Sequence, residues 1–243
     1  MSKTVLITGG SGTIGREICA KYSSKGYNVI FTYNSSPIEA QITFDLLDSN
    51  KSNMMIQVNL TNQKSIKNLF ETIKKSYNTI DILVNNAAYT KNYSPIELLD
   101  ISEEEIDNII NSIIKGTFLC SIEFIKQVKT SGNIINIGSN STSTLNASNL
   151  LYIACKASIE NLTKTLAINY GPKIKSNCIL PGLTLSNITK SSPSRFTPIL
   201  NKTPLNKLCT PQDISQCVYF LSTESNFING ECIKIDGGRN LYS

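Results

Sequence analysis

The first fifteen residues restrict the folds open to this chain more than any other stretch. Lys3-Thr-Val-Leu-Ile-Thr8 reads as a short buried strand. Gly9-Gly10-Ser11-Gly12-Thr13-Ile14-Gly15 follows at once, and Ile14, Ile18, Cys19 and Tyr22 then take up helical spacing. A strand passing through a glycine turn into a helix start opens a parallel α/β unit. Its backbone N–H groups and helix N-terminus make an anion cradle of the kind that holds a dinucleotide pyrophosphate. Elsewhere a glycine cluster is only a loop; the flanking strand and helix give this one its meaning.

Strands and helices keep alternating along the chain, which predicts a doubly wound parallel sheet. Apolar runs at 28–33, 54–58, 81–84, 133–137, 174–180 and 231–235 read as the further strands. Between them lie a helix over 37–48 and one capped by Thr61, with Ile66, Leu69, Phe70 and Ile73 on one face. Ser102-Glu-Glu-Glu105 has the form of a capping box and opens a long helix striped by Ile106, Ile109, Ile110, Ile113 and Ile114. Thr210-Pro211-Gln212-Asp213 starts another by N-cap and first-turn Pro. Residues 186–204 are rich in Ser, Thr and Pro with little periodicity, which reads as a long loop.

One polar set stands out against this frame. The strand at 133–137 ends in Gly138-Ser139, and thirteen residues later Tyr152-Ile-Ala-Cys-Lys156 opens a helical pattern. Tyr152 and Lys156, at i and i+4, share one helix face. With 10 Tyr and 23 Lys plus Arg in 243 residues, chance alone supplies about one Tyr-xxx-basic pair. Position is what lifts this pair above a surface Lys beside a half-buried Tyr. A hydroxyl at a strand end, a phenol and an ammonium together can move one proton to or from an oxygen.

Composition removes several other classes. No His is present, so Ser-His triads and His-ligated metals are excluded, and no metal site is expected. Seven Cys without metal-type spacing fit free thiols in a reducing cytoplasm. The formal charge of +5 comes from dispersed lysines with no basic stripe, which argues against nucleic acid. No 18-residue apolar run and no signal-peptide pattern is found, so neither a membrane span nor export is expected, and a cytoplasmic location is. A hydrophobic content of 40% over 243 residues suits one domain, 1–243.

On these residues the chain resembles, over its full length, the classical short-chain dehydrogenase/reductase family. It most resembles the 3-oxoacyl-[acyl-carrier-protein] reductase and polyketide ketoreductase branch. The resemblance implies a Rossmann-type sheet of about seven strands with helices on both faces, and Ser139, Tyr152 and Lys156 as the catalytic set. It implies that a nicotinamide dinucleotide lies along Gly9, Ser11, Gly12, Thr13, Ile14 and Gly15, then Tyr33, Asn34 and Ser35. Asn59 and Leu60 would face the adenine, Asn86, Ala87 and Ala88 the ribose, Ile137, Tyr152, Lys156, Pro181 and Gly182 the nicotinamide end, and Thr184 would lie near the phosphates. No acid follows the second strand, so NADP(H) is favoured over NAD, although Asn34 stands where NADP-preferring members carry Arg. Three departures are visible. The glycines fall at 9, 12 and 15 with Thr13 where the classical loop has Gly, so the loop is expected to shift. Asn59 replaces an Asp, its side-chain oxygen being left to accept from the adenine amino group. Ile113 occupies the place of a catalytic Asn whose main-chain carbonyl holds a relay water.

The family's substrate lid corresponds to about 184–205, and its common assembly is a homotetramer. The implied reaction is NADPH-dependent reduction of a β-keto group on a carrier-protein-bound acyl or polyketide chain, as in fatty acid or polyketide biosynthesis. Lys129, Lys173 and Lys175 would meet the acidic acyl carrier protein. Two alternatives stay open: a reductase of a free small-molecule ketone or alcohol, and a non-catalytic nucleotide-binding protein.

Overall fold

Seven strands pair in parallel in the computed structural model, which describes residues 2–242 except 78, 92, 94–95, 146–148, 187–188 and 190–192. They are β1 (Thr4–Ile7), β2 (Asn28–Tyr33), β3 (Met54–Gln57), β4 (Ile82–Asn85), β5 (Gly132–Ile137), β6 (Ile174–Pro181) and β7 (Cys232–Ile235), in the spatial order 3-2-1-4-5-6-7. The order reverses between β1 and β4, where Ile7 stands beside Val84. That reversal opens a crevice at the strands' carboxyl ends, the usual place for a ligand in such a sheet.

Alternation along each strand divides the core. Val5 and Ile7 face one side with Ile18, Cys19 and Tyr22 of α1 (Thr13–Ser24) and Ile214 and Val218 of a later helix. Leu6 faces the other with Ile66, Leu69, Phe70 and Ile73 of α3 (Gln63–Ser76). Because both faces are covered, the strands read as continuous apolar runs, and all seven were visible in sequence.

Local chemistry shifts some boundaries. Helix α2 (Pro37–Phe44) ends four residues short of the expected stop. Asn62, not Thr61, caps α3, accepting from the N–H groups of Lys64 and Ser65. Thr61 instead donates its N–H and hydroxyl to Asn59 Oδ1, both at 2.9 Å. The long helix is three pieces: α4 (Glu103–Ile110), a π-helical turn Asn111–Lys115, and α5 (Gly116–Gln127). Ser102 Oγ accepts from Glu105 N–H, while the Glu105 carboxylate turns away to accept from Tyr89 Oη and Lys91 Nζ.

The 25-residue stretch Glu103–Gln127 has an 18-residue window of mean hydropathy 1.2, long and apolar enough for a span. Lys115 interrupts it, and Ile109, Ile113, Cys120 and Phe124 are packed in the protein core, so it is a core helix. Further on lie the one-turn α6 (Ser141–Thr144), α7 (Leu150–Tyr170), α8 (Pro193–Asn201) and α9 (Pro211–Tyr219). Helix α8 lies inside the stretch expected to be a loop. Of the lid span 184–205, residues 187–188 and 190–192 lie outside the described residues.

Candidate active site

The glycine turn is built by packing before any ligand is considered. Gly9 has φ +69°, and a Cβ there would sit 2.9 Å from Ala87 Cα. A Cβ on Gly15 would lie 2.2 Å from Gly9 O. Asn86 Nδ2 donates to the carbonyls of Thr8 (3.0 Å) and Gly9 (3.1 Å), while Thr8 Oγ1 accepts from the N–H groups of Asn86 and Ala87. The end of β4 thus clamps the turn that follows β1.

Gly12 is different. A Cβ there would meet only Gly9 O, at an ordinary 3.5 Å, and its φ is −77°. The protein itself does not need glycine at this position; the missing side chain leaves room on the cavity side. Helix α1 begins at Thr13 with no side-chain cap and no acid in its first turn. Its first N–H groups therefore suit an anion. Thr13 is exposed, and the turn closes around it through Gly12 N–H to Gly9 O and Arg16 N–H to Gly12 O. These features fit a dinucleotide phosphate.

A cavity of about 780 Å³ runs from this turn across the carboxyl ends of β1 to β6. Every residue assigned in sequence to the Ser/Tyr/Lys set or to the dinucleotide borders it. Gly9, Ser11, Gly12, Thr13, Ile14 and Gly15 form one wall, and Tyr33, Asn34 and Ser35 one end. Asn59 and Leu60 follow β3, and Asn86, Ala87 and Ala88 follow β4. Ile137, Ser139, Tyr152, Lys156, Pro181, Gly182 and Thr184 close the other end.

Two details change the expected contacts. Asn59 Oδ1, assigned to an adenine amino group, already accepts two hydrogen bonds from Thr61. Arg16 of α1 lies outside the lining: its guanidinium pairs with Glu39 and donates to Thr43 Oγ1. Among the described residues Lys156 is the sole cation in the cavity lining.

At the opposite end from the glycine turn, Asn149 caps α7 by accepting from the N–H groups of Leu151 and Tyr152. The helix then carries Tyr152 and Lys156 past the end of β5. Lys156 is 4% exposed; its Nζ donates to Ile137 O at 2.6 Å and stands 5.7 Å from the centre of the Tyr152 ring. No carboxylate forms a salt bridge with it among the described residues. A buried, unpaired ammonium is costly, and two of its three N–H groups remain for other partners. Ser139 Oγ accepts from Ser141 N–H (3.2 Å) and Ser141 Oγ (2.8 Å). With both acceptor positions used, its own hydrogen is free to be donated. The tip is fixed from behind: Asn140 N–H donates to Pro181 O, and Asn140 Nδ2 to Asp236 Oδ2.

Tyr89, Asn108 and Ser112 also line the cavity and were missed in sequence. The π-helical turn puts Ile113 in the core, 1% exposed, and Ser112 in the wall. Ser112 Oγ accepts from Tyr89 N–H (3.2 Å) and donates to Ile109 O (3.1 Å), tying the β4 loop to α4. A helix that inserts one residue without changing its apolar stripe leaves no local sequence signal.

Comparison with known proteins agrees with this geometry. A family model described as Enoyl-(Acyl carrier protein) reductase matches residues 10–240. The 3-oxoacyl-[acyl-carrier-protein] reductase FabG of Staphylococcus epidermidis is 31% identical over 98% of this chain and 99% of its own. Glucose 1-dehydrogenase 2 of Bacillus subtilis is 29% identical over 99% of this chain and 95% of its own. Among solved structures, a short chain dehydrogenase from Burkholderia cenocepacia in complex with NADP superposes with a TM-score of 0.91 at 26% identity, covering 98% of both chains.

Proposed function

The chain belongs to the short-chain dehydrogenase/reductase family of oxidoreductases, and from that premise we propose that it is an NADPH-dependent ketoreductase. Its substrate in this reading is a β-keto acyl chain carried on an acyl carrier protein. The observation that carries the reading is the convergence of Ser139, Tyr152 and the buried, unpaired Lys156 on the cavity that also holds the glycine turn. A bound nicotinamide would supply hydride to the ketone carbon.

This chain's residues handle the oxygen. Ser139, its acceptor positions filled by Ser141, donates its hydrogen to the ketone oxygen and holds it, as an oxyanion hole does. The phenol of Tyr152 passes its proton to that oxygen as negative charge develops. Lys156, anchored on Ile137 O, faces the phenolate with a charge that no acid offsets. The absence of an acid after β2 and the NADP held by the Burkholderia relative favour NADP(H). With Arg16 tied to Glu39, Asn34 and Ser35 offer uncharged donors to the 2′-phosphate.

Tyr152→Phe tests the assignment. We expect unchanged NADPH binding by fluorescence titration and a fall in ketone turnover of about 10²–10⁴-fold; turnover near wild type removes Tyr152 from the mechanism.

The identity to glucose 1-dehydrogenase 2 favours a second substrate class, a free sugar or other small alcohol or ketone. Carrier-bound and free substrates separate by salt: docking of an acidic carrier on Lys129, Lys173 and Lys175 would make only the carrier-bound rate fall steeply with ionic strength. The reading as a non-catalytic nucleotide-binding protein loses its two motives, since Thr13 is exposed and Ile113 is a core residue. In our reading the segment 184–205, whose Thr184, Leu185 and Ser186 line the cavity, is the substrate lid. Exposed Phe118 on α5 and Leu150 and Ile168 on α7 support a homotetramer. Seven free thiols fit a cytoplasmic setting.

A further inference from the structure

Cys178 on β6 and Cys232 on β7 are register partners in adjacent parallel strands. Residues so paired point to the same face of the sheet. Neighbouring strands lie about 4.8 Å apart, inside the Cα separation of about 4.4–6.8 Å that a disulfide spans. Cys178 is fully buried and Cys232 half-buried. Both belong to the apolar cluster beneath α7 that includes Cys155 and Ile159. Cys178 Sγ lies 2.9 Å from where a Cβ on Gly138 would stand, and Cys232 Sγ is 4.0 Å from the carbonyl of Glu160, one turn past Lys156. The two sulfurs thus sit behind the proposed catalytic serine and lysine, and the reaction proposed above makes no use of them.

We propose that Cys178 and Cys232 are a peroxide-oxidisable dithiol that closes to a disulfide between β6 and β7. The step divides according to environment. The hydrogen bond from Cys178 lowers the Cys232 thiol, while the same bond, followed by burial, raises that of Cys178. Cys232 is therefore the more readily ionised thiol of the two, and Cys178 the one that holds its proton. Once deprotonated, the Cys232 sulfur attacks one oxygen of hydrogen peroxide; the O–O bond breaks, sulfur is oxidised to a sulfenic acid, and the leaving hydroxide takes up the proton the thiol gave up, as water. Cys178 sulfur then displaces the sulfenic hydroxyl; the S–S bond forms, and a second water leaves with the Cys178 proton. Two thiols and one peroxide thus give one disulfide and two waters. Burial raises the thiols of Cys19, Cys120, Cys155, Cys209 and Cys217, which makes them poor competitors.

The test treats the full-length native protein with a small excess of hydrogen peroxide, then alkylates and maps the peptides. We expect two of the seven thiols to be lost, one disulfide joining the Cys178 and Cys232 peptides, and recovery of all seven with dithiothreitol. Cys178→Ala should leave a sulfenic acid on Cys232 that a 1,3-dione captures, and Cys232→Ser should leave the remaining thiols reduced. A disulfide between any other pair overturns the proposal. So does Cys232 passing to sulfinic acid with Cys178 unchanged in the wild-type chain, or a wild-type chain that keeps all seven thiols.

Discussion

The cavity has two walls built on different principles. On the glycine-turn side, main chain packs against main chain: Gly9 and Gly15 touch backbone, and the Asn86 amide bridges two carbonyls. On the facing side, around Tyr89, Asn108 and Ser112, side-chain hydroxyls and the Glu105 carboxylate join a loop to a helix through single hydrogen bonds. A close-packed backbone tolerates almost no added volume, whereas a hydroxyl bridge can be removed for about 1 kcal/mol. The first wall suits the part of a ligand that every member of the family shares. The second suits the part that varies, and substrate choice is better sought there.

Substitutions can break or sharpen this contrast. The largest effect is expected from Gly15→Ala, whose Cβ would overlap Gly9 O and crowd Asn86 Nδ2. Overpacking of this kind costs about 1–3 kcal/mol, so a thermal melt should fall by several degrees and NADPH binding should be lost. Gly12→Ala comes next and separates fold from ligand: with only a 3.5 Å contact to meet, the melt should stay at wild type while NADPH affinity falls. Equal loss of stability in the two variants would erase the distinction drawn between them. Ser112→Ala removes the partner of Tyr89 N–H; stability should drop by about 1 kcal/mol, and KM for the ketone should rise while NADPH affinity holds.

The smallest effect concerns acid. Asp213 completes the capping box with Thr210, the N-cap of α9, which packs on α1 behind the glycine turn. The Thr210 hydroxyl, then the Thr210 N–H, hold its carboxyl below the usual carboxylate range. A carboxylate depressed on folding stabilises the protein above its unfolded pKa, about 3.9, and that contribution is lost as pH falls through the lower folded value. Melts recorded from pH 6 down to pH 3 should therefore converge for wild type and Asp213→Asn at the acid end and part above about pH 4. Parallel curves would show that the cap adds nothing.

Much of this was legible in the chain itself. Strands buried on both faces announce themselves as apolar runs, whereas Asn149, about two turns ahead of Lys156, caps its helix by purely local bonds that went unread in sequence. Gly9 through Gly15, Ser139, Tyr152 and Lys156 could be picked out because motif spacing survives in one dimension. The displacement of Thr61 by Asn62 as a cap was not legible, since both residues are good caps and Asn59 decided between them.

What the sequence determined alone is the alternation of strand and helix, the glycine turn and the spacing that sets Ser139, Tyr152 and Lys156 apart, all of them consequences of local spacing. The tertiary structure decided the rest. A π-helical turn exchanged Ile113 for Ser112 in the cavity wall, a pairing register brought Cys178 beside Cys232, and the end of β5 gave the Lys156 ammonium a carbonyl in place of an acid. Each depends on which distant segments meet, and that is set by burial of the whole sheet, which no short window of residues contains.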